Sequence, residues 1–378
     1  MKIGIEAQRI FRKKKHGMDI VALQLIRELQ KADTENEYFI FVKADEDHAI
    51  LHQTPNFRII TIKSAPYPYW EQVLLPREAK KYGVEVLHCT SNTAPVHIDI
   101  PLVITVHDII YLEKVNLTAG TWYQRLGNLY RRWNVPAVAG KSARIITVSD
   151  YERERIINHF ALPTNHVQTV YNGVGEKFRR ITDASRLQQI REKYNLPNRY
   201  IFYLGNTDPK KNMIGVMRAL SHLRKNNALE VPLLMLDIDR SYLHKIATQI
   251  GDTEILRHIT FCGYVPNDEL PMIYSMADIF LYPSLRESFG IPILEAMACG
   301  TPVITANTSS MPEVAGDAAL FIDPFNPADI ASAITSMLQN QSQRHDLVSK
   351  GFARSAMFSW KNNALQTLSL YKTVLGEK

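Results

Sequence analysis

Short apolar runs alternate with segments of helical period in two successive series, and this restricts the folds open to the chain more than any other feature. In the first series, residues 2–6, 38–42, 58–62, 86–89, 102–106 and 144–148 read as strands. Between the first two, residues 18–30 place Ile20, Val21, Leu23, Leu25, Ile26 and Leu29 at helical spacing. The pattern restarts at 200–204 and continues through 232–236, 259–262, 279–282, 303–305 and 319–322. Strands of this length separated by helices predict parallel sheets covered on their faces, hence an α/β chain of two Rossmann-like halves. The joint is expected within 172–198, where Asn172-Gly173 precedes a charged amphipathic stretch and Pro197. The last segment, from Phe358 through Val374, predicts a helix with Ser359 as its cap.

Composition narrows the class. The 378 residues suit two domains, and an apolar share of 46% supplies two cores. No stretch has the unbroken apolar length of a membrane-spanning helix. The N-terminus reads as a first strand rather than a signal peptide. The three cysteines, Cys89, Cys262 and Cys299, are too few and too scattered for a disulfide framework or a zinc site, and they predict a reducing, cytoplasmic setting. A net charge of +6 admits nucleic acid, anionic lipid or an anionic substrate as partner. No nucleic-acid-binding motif accompanies it. The one basic cluster is Arg12-Lys13-Lys14-Lys15-His16. It is either a solvated loop or a contact for phosphates on a lipid-linked acceptor or for anionic headgroups, at about 1 kcal/mol per cation. A Gly-x-Gly-x-x-Gly fingerprint is absent, since Gly173 and Gly175 lack a third glycine, which counts against a nicotinamide dehydrogenase.

The chemistry concentrates in residues 287–300, Glu-Ser-Phe-Gly-Ile-Pro-Ile-Leu-Glu-Ala-Met-Ala-Cys-Gly. Gly290 and Pro292 mark a tight loop entering a helix, with Gly300 as its stop. Glu287 is therefore expected on the loop and Glu295 about one turn into the helix. The free N–H groups of that first turn favour an anion. A phosphate held there would be flanked by two carboxylates able to bind hydroxyl groups, which is the chemistry of a nucleotide-sugar pocket. Gly205-Asn-Thr-Asp-Pro-Lys-Lys-Asn212 follows a strand and puts a glycine and two lysines where a diphosphate can approach. His107-Asp108 follows another strand, and strand carboxyl ends face the ligand crevice of open α/β sheets. Asp108 there also reads as a helix cap. Gly17, after the first strand, is a turn glycine or a site of close backbone approach. Asp237-Ile-Asp239 has the form of a metal-binding Asp-x-Asp, but it ends a strand where such turns commonly carry aspartate.

With Phe-Cys-Gly-Tyr-Val at 261–265, Ala-Asp-Ile-Phe-Leu-Tyr-Pro-Ser at 277–284, Gly-Thr-Pro-Val-Ile-Thr at 300–305 and Met-Pro-Glu-Val-Ala-Gly at 311–316, the chain resembles a retaining glycosyltransferase of the two-Rossmann-domain GT-B type. The group is family GT4, which includes bacterial mannosyl- and glucosyltransferases. The resemblance covers most of the chain. It implies an acceptor-binding domain over 1–180 completed by a returning helix at 358–375, a nucleotide-sugar-binding domain over 181–357, and an active site in the cleft between them. It also implies roles. Glu295 would bind ribose hydroxyls and Glu287 the sugar ring hydroxyls. The N–H groups of Phe289, Gly290 and Ile291 would meet the diphosphate with Lys210 and Lys211, Lys211 being the closer match to the family's lysine. Gly205 and Gly17 would let backbone approach the donor, and Gly263-Tyr264-Val265 would touch the base. His107 would lie beside the transferred sugar and orient it. His107, Glu287 and Lys211 form the expected catalytic set. Relatives carry an arginine after the glycine where this chain has Asn206, so one diphosphate cation is either missing or supplied by Lys210.

The expected donor is GDP-mannose, with UDP-glucose next. The expected acceptor is a growing polysaccharide or a lipid-linked saccharide, reached by a cytoplasmic protein that touches the inner face of the membrane peripherally. No metal cofactor is expected, because the lysines and the helix start neutralise the leaving group. The alternatives are a hydrolysing nucleotide-sugar epimerase of the same fold and a catalytically silent sugar-nucleotide-binding subunit of a polysaccharide assembly complex. Retention of Glu287, Glu295, Lys211 and His107 together argues against the silent subunit.

Overall fold

The structure is a computed structural model that describes residues 1–13, 15, 17–113 and 122–376, with backbone alone for 113 and 122–125. Lys14 and His16 of the basic cluster lie outside the described residues.

The chain forms two compact units, Met1–Gly173 with Trp360–Lys378, and Val174–Ser359. The first is built on seven parallel strands: β1 (Lys2–Glu6), β2 (Glu37–Lys43), β3 (Phe57–Ile62), β4 (Val86–Cys89), β5 (Leu102–Thr105), β6 (Arg144–Thr147) and β7 (Val167–Thr169). Their order is β3-β2-β1-β4-β5-β6-β7. In β4 and β5 every residue is buried, as expected where helices cover both faces of a parallel sheet. Register is regular, with Ile3 opposite Tyr38 on one side of β1 and opposite Val86 on the other. The direction of winding reverses between β1 and β4. Ligands of such sheets bind outside the strand carboxyl ends at that point.

Helix Gly17–Ala32 turns Ala22, Leu25, Ile26 and Leu29 inward, and the core they join includes Ala364, Leu370 and Tyr371 of helix Trp360–Leu375. The terminal helix is thus part of the first unit's interior. Tyr371 Oη lies 2.6 Å from His88 Nδ1, and burial pushes the His88 imidazole down to about 3, so it is neutral.

The second unit repeats the plan with six parallel strands: β8 (Ile201–Tyr203), β9 (Leu233–Met235), β10 (Ile259–Phe261), β11 (Ile279–Tyr282), β12 (Val303–Ala306) and β13 (Ala319–Ile322). The order β10-β9-β8-β11-β12-β13 reverses between β8 and β11. Residues 174–180 belong to this unit rather than to the first. Phe178 is buried against the Tyr274 ring with centroids 6.1 Å apart, and Lys177 Nζ pairs with Asp268 at 2.8 Å. The division therefore falls at Gly173, near the start of the expected 172–198 joint. Among the described residues, no helix is long and apolar enough to cross a membrane. Cys89 and Cys299 are buried and all three cysteines are free.

Candidate active site

The loops leaving β8 and β11 meet at the second unit's switch point. After β8, Gly205 lies against the side chain of Tyr203: a Cβ there would come within 2.2 Å of the ring. Tyr203 Oη in turn donates to Lys211 O at 2.7 Å. A short turn, Pro209–Lys211, is capped by Asp208, whose carboxylate accepts from Lys210 N at 3.0 Å. Asn212 ends the turn in the left-handed region and donates from Nδ2 to Pro283 O and Pro324 O, at 3.1 and 2.7 Å. Leu285 N donates to Lys210 O at 2.7 Å, which ties the β11 loop to the lysine turn.

This scaffold brings Lys211 and Glu287 together. Lys211 Nζ lies 2.6 Å from Glu287 Oε1 and 2.8 Å from Tyr282 Oη, and 4.6 Å from the centroid of the Tyr282 ring. The side chains of the pair are only 15% and 10% exposed. Burial alone would raise the Glu287 carboxyl, but the Lys211 and Lys210 ammonium groups outweigh it and hold the carboxyl below its ordinary value. Lys210 is more open and stands 4.0 Å from Asp208. In so dry a site the pairing with Lys211 offsets much of the cost of burying the Glu287 charge.

Past Glu287 the chain enters helix Ile291–Ala298. Gly290 precedes it at φ +102°, a conformation that demands glycine, and Pro292 occupies the first turn. No side chain caps this helix start; within its first turn Pro292 has no N–H and Ile293 N donates to Gly290 O at 3.0 Å. Phe289 is buried and packs edge-on against Phe358, fixing the loop from below, and Ile291 is half-buried. Glu295 lies in the second turn, apart from the Lys211–Glu287 pair, and accepts from Tyr274 Oη at 3.1 Å. Burial pushes its carboxyl up to about 7 against the pull of Tyr274 and Lys177. Beyond β10, Gly263 takes φ +70°, Val265 is buried, and the Tyr264 ring is 67% exposed.

In the first unit, His107 follows β5 and is buried. Its N–H donates to Asn92 Oδ1 at 2.7 Å, and its Nε2 lies 3.0 Å from Thr90 O. A carbonyl only accepts, so Nε2 carries the proton. Burial lowers the imidazole pKa against the pull of Thr90, Asp108 and Asp19, and the neutral ring has Nδ1 as an acceptor. Asp108 Oδ1 accepts from Ile110 N at 3.2 Å at the start of helix Ile110–Glu113. Gly17 begins its helix with nothing within 4 Å of where a Cβ would stand, so the packing does not require glycine there.

Sequence reasoning passed over several groups here. Glu6 ends β1 at the first unit's switch point, and burial raises its carboxyl to about 7, helped by the nearby Glu71. Glu71 is fully buried and takes four donors: Tyr67 Oη, Thr93 Oγ1, Gln72 Nε2 and Tyr130 Oη, at 2.7, 2.6, 3.0 and 2.5 Å. A carboxylate closing the buried run Ile3-Gly-Ile was the signal for Glu6. Asp239 proves to be a helix cap, accepting from Ser241 N at 2.8 Å at the start of helix Arg240–Gln249. Among the described residues, no three His, Cys, Asp or Glu side chains are grouped as metal ligands. Lys15 of the basic cluster is bound to Asp47 at 2.6 Å and to Arg12 O at 2.8 Å, whereas Lys13 is 81% exposed and only 3.7 Å from Glu46.

Comparison with known proteins agrees with this architecture. Residues 187–354 match the family model "Glycosyl transferases group 1" and residues 16–177 match "Glycosyltransferase Family 4". The chain is 36% identical over 230 residues to O-antigen chain mannosyltransferase B of Escherichia coli, a match covering 60% of each protein. It is 30% identical over 223 residues to the Escherichia coli serotype-specific mannosyltransferase WbdA, covering 58% of this chain and 27% of that protein. The matches therefore span less than two thirds of these relatives' own length. Anabaena Alr3699/HepE, solved in complex with UDP-glucose, superposes with a TM-score of 0.76 at 18% identity over 99% of this chain and all of that one, which is a likeness of fold. Two family models on its two successive units, together with the doubled parallel-sheet fold, make the chain a member of the GT4-type glycosyltransferases.

Proposed function

We propose that the protein is a retaining hexosyltransferase that moves mannose from GDP-mannose, or next in preference glucose from UDP-glucose, to a hydroxyl of a saccharide or lipid-linked saccharide during surface polysaccharide synthesis. The carrying observation is the buried Lys211–Glu287 pair, set four residues ahead of the uncapped helix start at Ile291. As the bond from the anomeric carbon to the diphosphate breaks, positive charge spreads over the sugar ring and negative charge collects on the leaving diphosphate. Lys211 and the N–H groups of Phe289, Gly290 and Ile291 stabilise that diphosphate most strongly in the transition state. Glu287 accepts from the sugar hydroxyls, and Glu295 accepts from the ribose. Neutral His107 accepts a sugar hydroxyl at Nδ1 and so orients the ring. The second unit takes the donor and the first the acceptor. Attack by the acceptor hydroxyl oxygen from the face that the diphosphate leaves gives retention, and the hydroxyl proton passes to the departing diphosphate oxygen. The mannosyltransferase names of the Escherichia coli relatives support the choice of sugar.

Incubation with a panel of sugar nucleotides and saccharide acceptors tests this reading. Transfer from GDP-mannose, with the product anomer matching the donor by NMR, is expected to persist in EDTA, because Lys211 and the helix start serve in place of a cation. Loss in EDTA with recovery on adding magnesium or manganese would remove the metal-free part of the reading. Nucleoside diphosphate released without an acceptor would identify the hydrolysing epimerase, and binding without any product the silent subunit.

The reading includes peripheral contact with the inner face of an anionic membrane. Lys13 is exposed, and helix Trp122–Ala139 presents Leu126, Leu129 and Trp133 at i, i+3 and i+7, 52%, 52% and 55% exposed. In vesicle flotation the parent is expected to bind anionic vesicles and to lose binding at high salt. Leu129→Ser with Trp133→Ser is expected to weaken it further than Lys13→Ser. Equal flotation of parent and both variants would refute the contact.

A further inference from the structure

Two consecutive serines hold the backbone of Glu287 from both sides. Ser309 Oγ accepts the Glu287 N–H at 3.0 Å. Ser310 Oγ lies 2.9 Å from Glu287 O and 3.0 Å from Phe289 O, so its single hydrogen is shared between the two carbonyls. Thr308 Oγ1 adds a longer bond to Leu285 O at 3.3 Å. All three come from the loop that follows β12, the neighbour of β11 in the sheet.

Two features separate this from ordinary loop packing. Ser309 has φ +52°, a conformation disfavoured for any residue that carries a side chain. Neighbouring side chains of an extended chain point to opposite sides, and the left-handed turn at Ser309 instead brings two successive hydroxyls to one residue. Ser310, in addition, is the N-cap residue of helix Met311–Ala315, where a serine hydroxyl ordinarily accepts from the helix's own N–H groups. Here its side chain makes no cap bond and is fully buried against the loop carbonyls. The chain forgoes both a relaxed backbone and a helix cap at the residues that touch Glu287.

We propose that Ser309 and Ser310 are positioning residues for glycosyl transfer, fixing the Glu287 peptide so that its carboxylate stays in register with Lys211 as the sugar reacts. This rests on the role given to Glu287 above. The pair acts on turnover and leaves donor binding nearly untouched, because the ribose carboxylate Glu295 lies on the helix beyond it.

Ser309→Gly is the decisive variant. Glycine takes a positive φ without strain, so the backbone is kept and only the hydroxyl is lost. Its melting temperature is expected to equal or exceed the parent's, while kcat falls about tenfold and donor KM stays within threefold. The acid limb of the kcat profile is expected to move to higher pH, because a Glu287 displaced from Lys211 loses the charge that holds its carboxyl low. Ser310→Ala is expected to lose kcat and Ser310→Thr to recover most of it; if Ser310→Ala does not fold, Ser309→Gly alone decides. Parental kcat and an unmoved acid limb in Ser309→Gly overturn the proposal. Glu287→Ala is run beside it: parental kcat there overturns the Glu287 reading itself, whereas a disabled Glu287→Ala with a parental Ser309→Gly overturns only the positioning role.

Discussion

Lys211→Ala is expected to lower kcat by roughly two to three orders of magnitude, the range found when one preorganised donor is removed from developing negative charge. Donor affinity should fall much less, because the diphosphate gains charge as it leaves. The substitution also strands the Glu287 carboxylate in a site where it is only 10% exposed. A stability loss of about 3–5 kcal/mol is therefore expected with it, typical of breaking a buried pair from one side. Circular dichroism at the assay temperature separates the two effects, since a folded variant with lost turnover isolates the chemistry. Glu287→Ala is expected to resemble it in turnover and to leave donor KM nearly unchanged. A Lys211→Ala enzyme within threefold of parental kcat would end the assignment of Lys211 to the leaving group.

Glu295→Ala is expected to weaken donor binding by about 10- to 100-fold, as charged hydrogen bonds are worth about 1.5–3 kcal/mol, with kcat little altered. Ribose contacts are equal in the ground and transition states, so their loss appears in binding. Protonation adds a second signature. The carboxyl is raised to about 7, and ribose hydroxyls donate more strongly to its ionised form, in which both oxygens only accept. Donor affinity should therefore drop as pH falls below about 7, and this dependence should vanish in Glu295→Gln. Stability runs the other way. A carboxyl raised from 4.5 to about 7 by folding contributes stability that is full below 4.5 and lost as pH rises through 7. Glu295→Gln is accordingly expected to melt higher than the parent at pH 8 and to lose that advantage toward pH 4.5. Calorimetry with donor, and melting curves across this range, measure both. Unchanged donor affinity in Glu295→Ala would refute the ribose contact.

The sheets were legible because strands covered on both faces read as nearly continuous apolar runs, as in Val86–Cys89 and Leu102–Thr105, whose polar members His88 and Thr105 are buried and bonded to each other at 2.7 Å. The strand that escaped notice, Val167–Thr169, sits at a sheet edge with one buried residue, so nothing in its composition marks it. The loop–helix placement of Glu287 and Glu295 was legible from Gly290 and Pro292, residues whose backbone demands are local. The groups that hold the site were not. Tyr203 and Tyr282 fall within runs read as strands and Tyr274 outside every segment singled out, yet the hydroxyls of Tyr203, Tyr282 and Tyr274 bind Lys211 O, Lys211 Nζ and Glu295 respectively. Their apolar rings and polar tips serve different neighbours, and a one-dimensional pattern registers only the ring. Lys15 looked like one cation of a loose run, because its partner Asp47 stands 32 positions away.

The route of the chain carries a consequence for how the protein is made. Helix Trp360–Leu375 supplies Ala364, Leu370 and Tyr371 to the interior of the unit that begins at Met1. During synthesis the first 173 residues emerge with that seat empty, and the sheet of Val174–Ser359 has all its strands before the missing helix leaves the ribosome. The segment made first is the last to be completed. A nonsense codon at Trp360 would release a protein whose later unit is whole while its earlier unit exposes Leu25, Ile26 and Leu29 to water and to the quality-control machinery.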